Sequence, residues 1–460
     1  MWEVKHVHQP VEFTLKDARK GVVEVANRDC FRVASEWLEA AWEVQVEGNA
    51  VAKGKVAALA APPQGKARVV MLGWGWKKLP FLAPGEEAFL NVSATLKRDA
   101  PWAPKGHQVA WNQMPLPLPE DPGKDLPRAT LLAEKDGAKV GVAEKDGAPA
   151  ALAAGRVVLK LDAENRRIGA LEADGRPLLL GGPEFTLWRS PTDNDGIKTR
   201  DGGDRTNVWK GKGRWCKLGL DKLDEERVAF ALKPEKGGAV SIETRSVFTP
   251  VGPDMDPAGL DLKFFDKGKE RRFRVSPSPV EHRATYRLEP TGALLCKHVF
   301  VVPKSLDDLP RLAVRMKLPA ALENLTWFGL GPVETYADRK SGAIVGSFAS
   351  TVADQYFPYI VPQEHGHHCD TRWLTLTDAR GSGIQFQAEG ANFGFNATHL
   401  PDEVLDPAKH PSELTPEKDV TLYLDAAMRG LGTGSCGPDT REEYRIHPGA
   451  YTLSYWVFPV

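Results

Sequence analysis

Strict alternation of apolar and polar side chains recurs from one end of this chain to the other, and nothing else in it constrains the fold as much. Trp42, Val44 and Val46 alternate with polar neighbours; Gly48-Asn49 then supplies a turn and Val51 resumes the pattern, which reads as a β-hairpin. The same period runs through Leu90, Val92, Ala94 and Leu96, through Val157, Leu159 and Leu161, through Ile384, Phe386 and Ala388, and through Tyr451, Leu453, Tyr455 and Val457. Side chains two apart share one face of a strand, so each run predicts a strand with one buried face. Asp174-Gly175, Asp378-Ala379-Arg380-Gly381 and Pro448-Gly449 supply turns between such runs, and 43 Gly with 36 Pro suit many short strands better than long helices. The best helical candidate is Asp29 to Ala41, where Trp37-Leu38 and Ala40-Ala41 read equally well as a loop entering a strand. The β-α alternation that a barrel enzyme requires is missing. The predicted fold class is all-β.

The chain has 460 residues, enough for two or three domains with real cores. A formal net charge of −1 gives no electrostatic case for nucleic acid or an anionic membrane as partner. No run of about 18 apolar residues exists to span a bilayer. The opening Met1-Trp2-Glu3-Val4-Lys5-His6-Val7-His8 has charge where a signal peptide needs an apolar core. Cys30, Cys216, Cys296, Cys369 and Cys436 are odd in number, scattered and without CxxC spacing, so reduced thiols in a cytoplasm are expected.

Two segments can be cut. Residues 1–117 carry roughly seven strand signals, the number a small immunoglobulin-like sandwich needs. Residues 118–128 lie in a Pro-rich stretch that reads as an extended linker, and 129–460 as one large two-sheet sandwich. The near-repeat at 133–138 and 143–148 reads as a hairpin or local duplication, since two copies make no solenoid. Pro250 to Pro279 reads as an exposed insertion. Trp42 and Trp456 sit in alternating strands as core residues, while Trp74 and Trp76 are the expected exposed pair.

Several blocks then follow one another in order. They are Trp2-Glu3-Val4-Lys5 with Gln9-Pro10, Asn27-Arg28 with Phe31, and the run Trp102 to Gln113. Later come Leu187-Trp188-Arg189-Ser190-Pro191-Thr192-Asp193-Asn194-Asp195-Gly196 and Trp327 to Tyr336 with Asp338-Arg339. Pro358 to Glu364, Gly366, Thr371-Arg372-Trp373 and Gly434 to Thr440 complete the series. In these blocks the chain resembles the carboxy-terminal region, domains four and five, of family-2 β-galactosidases. The resemblance implies an immunoglobulin-like β-sandwich followed by a large galactose-mutarotase-like β-supersandwich. It also implies part of a retaining glycoside hydrolase, acting on terminal β-D-galactosides of the lactose kind in carbohydrate metabolism. Such enzymes hold two carboxyls about 5–5.5 Å apart, one as acid/base and one as nucleophile. In the family that pair and the magnesium ligands lie on a (β/α)8 barrel absent here. No catalytic residue and no cofactor is therefore assigned to this chain. Its implied partners are a β-galactoside and a barrel-bearing large subunit or missing amino-terminal domains, in an oligomer.

The resemblance also marks a substrate-pocket rim: Cys436, Gly196, Asp195 and Asn194. Cys436 stands where some family members place a tryptophan that stacks on the sugar, while many others carry Ser-Cys-Gly-Pro. Gly196 and Ile197 to Arg205 match a loop that closes near the active site. Other readings compete on chemistry alone. Asp193-Asn194-Asp195-Gly196 could open a calcium loop, but the twelve-residue ligand set fails, and an Asx-turn is the plainer reading. His365, His367, His368 and Cys369 have zinc chemistry without a second ligand pair, and read as incidental loop residues. Glu364 with His365 would suit an aldose epimerase, and Glu364 otherwise holds its loop by hydrogen bonds. The rival from another class is a free-standing, non-catalytic carbohydrate-binding or scaffold protein.

Overall fold

The computed structural model describes residues 2–70, 79–121, 139–145, 148–162, 164–196, 211–252, 260–266, 269–275 and 278–460, with side chains omitted at 70 and 260–277. The fold is all-β, as the alternation predicts. By contact density the chain divides into two units. One comprises Met1–Leu131, Phe328–Val333 and Lys340–Phe348; the other holds Leu132–Trp327, Glu334–Arg339 and Ala349–Val460.

The first unit is an immunoglobulin-like sandwich of a three-stranded sheet (Val11–Asp17, Val22–Asn27, Lys66–Val70) and a four-stranded sheet (Asn49–Lys55, Leu38–Val46, Ala88–Leu96, Gln108–Pro115). Alternation explains the closure. Val11, Phe13, Val23 and Val25 from one sheet meet Trp42, Val44, Leu90, Val92 and Val109 from the other in one buried cluster. The predicted Gly48-Asn49 hairpin forms, with Val46 opposite Asn49. The helical candidate shrinks to one turn, Ala34–Trp37, and Leu38 already begins a strand. A single apolar stripe too short to nucleate a helix loses to strand pairing.

Among the described residues, three larger sheets draw all or most of their strands from the second unit. An antiparallel meander runs Gly141–Lys145, Ala148–Ala154, Val157–Asp162, Arg167–Ala173 and Arg176–Leu179. A five-stranded sheet has the order Gly181–Thr186, Arg311–Leu318, Val420–Met428, Phe393–Thr398, His368–Thr371. A nine-stranded sheet begins Leu223–Pro234, Val240–Pro250, Val280–Leu288, Leu294–Val302, Gly449–Pro459, Gly383–Ala388, Trp373–Thr377. Strand Val420–Met428 is buried on both faces over its first six residues, as a central strand covered from two sides must be.

Some expectations fall outside the described residues: Trp74 and Trp76, the first copy of the near-repeat, most of the linker, and Ile197 to Arg205. The second copy of the near-repeat is split between two paired strands, Gly141–Lys145 and Ala148–Ala154. Within Pro250 to Pro279 the backbone of Leu260–Asp266 pairs with Lys269–Val275 as a hairpin. Among the described residues no helix is long and apolar enough to cross a membrane. All five cysteines are free thiols, with Cys30 and Cys436 exposed.

Candidate functional site

The turn at 193–196 is built from its own sequence. Thr192 caps the 3-10 turn Asp193–Asp195, and its backbone N–H and hydroxyl both donate to Asp195 Oδ2 at 2.9 Å. Gly196 closes the turn at φ 102°, in the left-handed region where a side chain would be strained.

Asp195 is 1 % exposed, and its oxygens are engaged within the protein. Arg189 Nη2 donates to both of them, at 3.2 and 2.9 Å, and Arg429 Nη1 lies 3.4 Å from Oδ1. Arg189 Nη1 donates in turn to the Arg429 carbonyl at 3.1 Å. Arg429 also grips Asp308 through Nε and Nη2, Asp439 Oδ1 at 3.0 Å and the Thr440 hydroxyl at 2.7 Å. Arg214, on the short helix Gly211–Lys217, donates to Asp308 at 2.5 Å and to Asp439 at 3.2 Å. Trp215 from the same helix donates its indole N–H to the Asp308 carbonyl at 2.7 Å, and its ring lies 5.6 Å from the Arg189 guanidinium and 5.5 Å from that of Arg429.

Three guanidiniums thus face three carboxylates, with Arg189, Arg429 and Asp195 buried and Arg214 and Asp439 reaching the surface. Burial pushes the Asp308 and Asp439 carboxyls up, but the charges of Arg429 and Arg214 outweigh it and hold both below the usual carboxylate range. Burial likewise disfavours the Arg429 cation, and Asp308 more than restores it. The network is charge-balanced and holds the adjoining backbone in place.

Onto this base two loops are stitched. Asn194 donates from Nδ2 to the Gly432 carbonyl at 2.7 Å and accepts the Ser435 N–H on Oδ1 at 3.0 Å. Asp338 accepts the N–H of Leu431 at 2.9 Å and of Gly432 at 2.7 Å. Gly432 has φ +66°, and a Cβ there would lie 2.5 Å from Thr440 Oγ1. The segment 430–440 is therefore a close-packed loop, and Cys436 projects from it into solvent. The structure brings Asn194, Gly196 and the Cys436 loop together, while Asp195 points inward beneath them.

The foot of a third loop joins the same turn. Gln363 Oε1 accepts the Asp193 N–H at 3.1 Å. Next to it, Glu364 is 4 % exposed, accepts from Asn396 Nδ2 at 3.0 Å and lies 3.7 Å from Arg311, which donates from Nε to Asp425 at 2.7 Å. His365 and His367 do lie on a loop and His368 opens a strand, but all three are buried and partnered, so they are not incidental. His365, His367 and His368 are at most 2 % exposed. Each has a local partner: the Gln363 carbonyl at 3.0 Å, the Thr335 carbonyl at 2.9 Å and Gln355 Oε1 at 2.8 Å. Gly394 allows this, since a Cβ there would sit 2.5 Å from His367 Nε2.

Sequence reasoning missed Arg189, Arg214, Asp308, Arg429 and Asp439 as a unit, and Arg311 with Asp425. The available signal was a lone charge inside an apolar strand run, as at Asp425 in Val420 to Met428; Arg311 shares its strand with Arg315 and Lys317 and gave no such signal. Such a charge is rarely buried unless paired.

Residues 154–457 match the family described as beta galactosidase small chain, and residues 23–117 match beta-galactosidase, domain 4. Proteins named beta-galactosidase from Arthrobacter sp. (strain B7) and Aeromonas hydrophila are similar to the chain at 28% and 26% identity, over 98% and 99% of it. The chain spans 41% and 39% of the length of those curated relatives. A putative aldose 1-epimerase structure from Escherichia coli K12 aligns with 68% of this chain and 99% of its own, at 10% identity and a TM-score of 0.30, too slight a likeness to carry an argument. With the small-chain match alone covering well over half of its residues, the chain belongs to the beta-galactosidase small chain family.

Proposed function

We propose that this chain is the carboxy-terminal part, or the small subunit, of a retaining β-galactosidase that hydrolyses terminal β-D-galactosides. Its role is to complete the substrate pocket of a barrel that carries the acid/base and nucleophile carboxyls and the magnesium site. One observation carries the reading: in a chain of this family, the turn 193–196 and the Cys436 loop are held together by Asn194 over a charge-balanced base. A rim of that kind, rigid and presented on loops, is what a site assembled from two parts needs, because catalysis requires reacting groups fixed to within a fraction of an ångström. Asn194, Gly196 and Cys436 form the rim, and Asp195 supports it from below. The free thiols support a reducing compartment such as the cytoplasm for the assembly.

The test is hydrolysis of a chromogenic galactoside by the pure chain, alone and after co-expression with the barrel-bearing chain of the same enzyme. Turnover is expected only in the second case. Turnover by the chain alone after stringent purification, or none from the pair, overturns the reading.

A further inference from the structure

The loop from Tyr356 to Gln363 leaves large apolar side chains in water although both of its ends are fixed. Ile360 is 89 % exposed and Phe357 is 53 % exposed. The loop is not loosely held. Tyr359 Oη donates to Glu334 Oε1 at 2.5 Å, and the Gly366 N–H donates to Glu334 Oε2 at 2.9 Å. Arg339 pairs with the same carboxylate, and the Tyr356 ring meets His365 edge-on at 5.1 Å. Burial pushes Glu334 up, yet Arg339 and these donors hold it below its ordinary range, so the anchor stays ionised at neutral pH. Anchoring of this kind fixes where Phe357 and Ile360 point. Holding two apolar side chains fixed in water has no benefit to an isolated chain; it does benefit a chain that buries them against something else.

We infer that Phe357 and Ile360 form an apolar docking knob for the barrel-bearing part of the enzyme. The inference rests on the function proposed above. Two observations choose that occupant over a second copy of this chain. The curated relatives are more than twice as long as this chain, so a large amount of protein surface accompanies this region in them. The knob also stands on the pocket rim: Gln363 at its foot bonds to Asp193, and three residues of chain place Ile360 within about 11 Å of Gln363. A rim completes a pocket only by facing the part that carries the catalytic carboxyls, so a knob on the rim faces the same part.

The experiment compares four forms of the chain: unchanged, Ile360→Asp, Phe357→Ser with Ile360→Asp, and Val228→Asp as a control at another exposed valine on strand Leu223–Pro234. Binding of each to the purified barrel-bearing chain is measured by titration, and galactosidase activity is read on the resulting pairs. The melting temperature should be unchanged for Ile360→Asp, whose side chain touches mainly solvent. Phe357 is half covered and packs on the Tyr359 ring at 4.6 Å, so the double variant is compared at a temperature where its melting curve shows it folded. Ile360→Asp should weaken association at least tenfold and the double variant further, with activity restored at saturating concentration, while Val228→Asp changes nothing. If all four bind equally, the knob is not the docking surface and the functional reading stands. If the unchanged chain does not bind, the functional reading itself fails. A double variant that instead converts a self-associated chain to monomer, in sedimentation without the partner, assigns the knob to a second copy and overturns the inference.

Discussion

Lowering the pH below about 6.5 should draw on the stability of this chain through a pair of buried imidazoles, of which His282 is the testable one. His282 on strand Val280–Leu288 is stacked against Phe300 at 5.0 Å and Phe185 at 5.5 Å, and its Nε2 shares a hydrogen bond of 3.0 Å with His298 Nδ1. His298 passes the chain on to Tyr455 Oη at 3.2 Å. Burial lowers the His282 pKa from 6.5 to about 4 and holds that of His298 well below 6.5, with the neighbouring His282 adding to the shift. The folded state therefore refuses a proton that the unfolded chain accepts once the pH drops below about 6.5. The His282 contribution is full above that value and falls as pH is lowered towards 4. His367, raised to about 10 against its burial, chiefly by Cys369 and Asp425, acts in the opposite sense as pH rises above 6.5 and is common to parent and variant. At 1.36 kcal/mol per unit of difference, His282 alone removes about 2 kcal/mol by pH 5 and about 3 kcal/mol by pH 4. Asp308 and Asp439, whose folded values are depressed below 3.8, keep their contribution throughout this window and lose it only at lower pH. Urea unfolding of the parent and of His282→Phe between pH 8 and pH 4.5 isolates the effect. Phenylalanine keeps the stack but leaves His298 one partner short, so the variant should be less stable at pH 8 by about 1–3 kcal/mol. Its curve should then fall less steeply than the parent's below pH 6.5, so that the gap narrows. Parallel curves across the whole range would refute the assignment of acid sensitivity to His282.

The charged base of the site makes three further predictions. Arg429→Met should cost about 3–5 kcal/mol in urea unfolding, because buried Asp308 and half-buried Asp439 lose their main counter-charge and Asp195 keeps only Arg189. Gly432→Ala combines a left-handed backbone with a Cβ 2.5 Å from Thr440 Oγ1, and a loss of about 2 kcal/mol or more is expected; an unchanged melting temperature would show that the loop relaxes freely. Asp338→Asn keeps the shape but offers one acceptor where two N–H groups are bound, so amide hydrogen exchange at Leu431 and Gly432 should speed up by about tenfold with little global loss.

How much of this was legible depended on whether the signal was local. Strand existence was local: the alternation at Trp42 to Val46 and at Leu90 to Leu96 needs only a buried face, and both runs form strands in the four-stranded sheet. The helix candidate at Asp29 to Ala41 dissolved because its apolar residues serve a sheet partner that no local pattern reveals; Leu38 to Val46 pairs residue for residue with Leu96 to Ala88. The turn at 193–196 was equally readable from its capping residues, whereas its charged support was not. Asp308 and Asp439 come from segments more than a hundred residues from Arg189, and each looks like an ordinary loop carboxylate until Arg429 gathers them.

That difference bears on the rim proposed above. Asp193, Asn194 and Asp195 are three consecutive polar residues with three separate tasks. The Asp193 backbone N–H fastens the Gln363 loop, Asn194 fastens the Cys436 loop, and Asp195 fastens the turn to the arginines. A fast-exchanging surface turn could not hold two other loops in register. A turn neutralised from below by Arg189 and Arg429 can, because breaking either ion pair would strand a buried charge. The same support limits how the site can vary. Cys436 is exposed and its side chain meets no such constraint, so it is the position on the rim where a larger group can replace a small one without disturbing the base. Asp195 has no such freedom: its two oxygens receive Arg189, Arg429 and Thr192, and any residue with fewer acceptors leaves one of these buried donors unpaired. Variation in what the rim contacts should therefore concentrate on the Cys436 loop, and variation in Asp195 should appear first as a loss of folding stability.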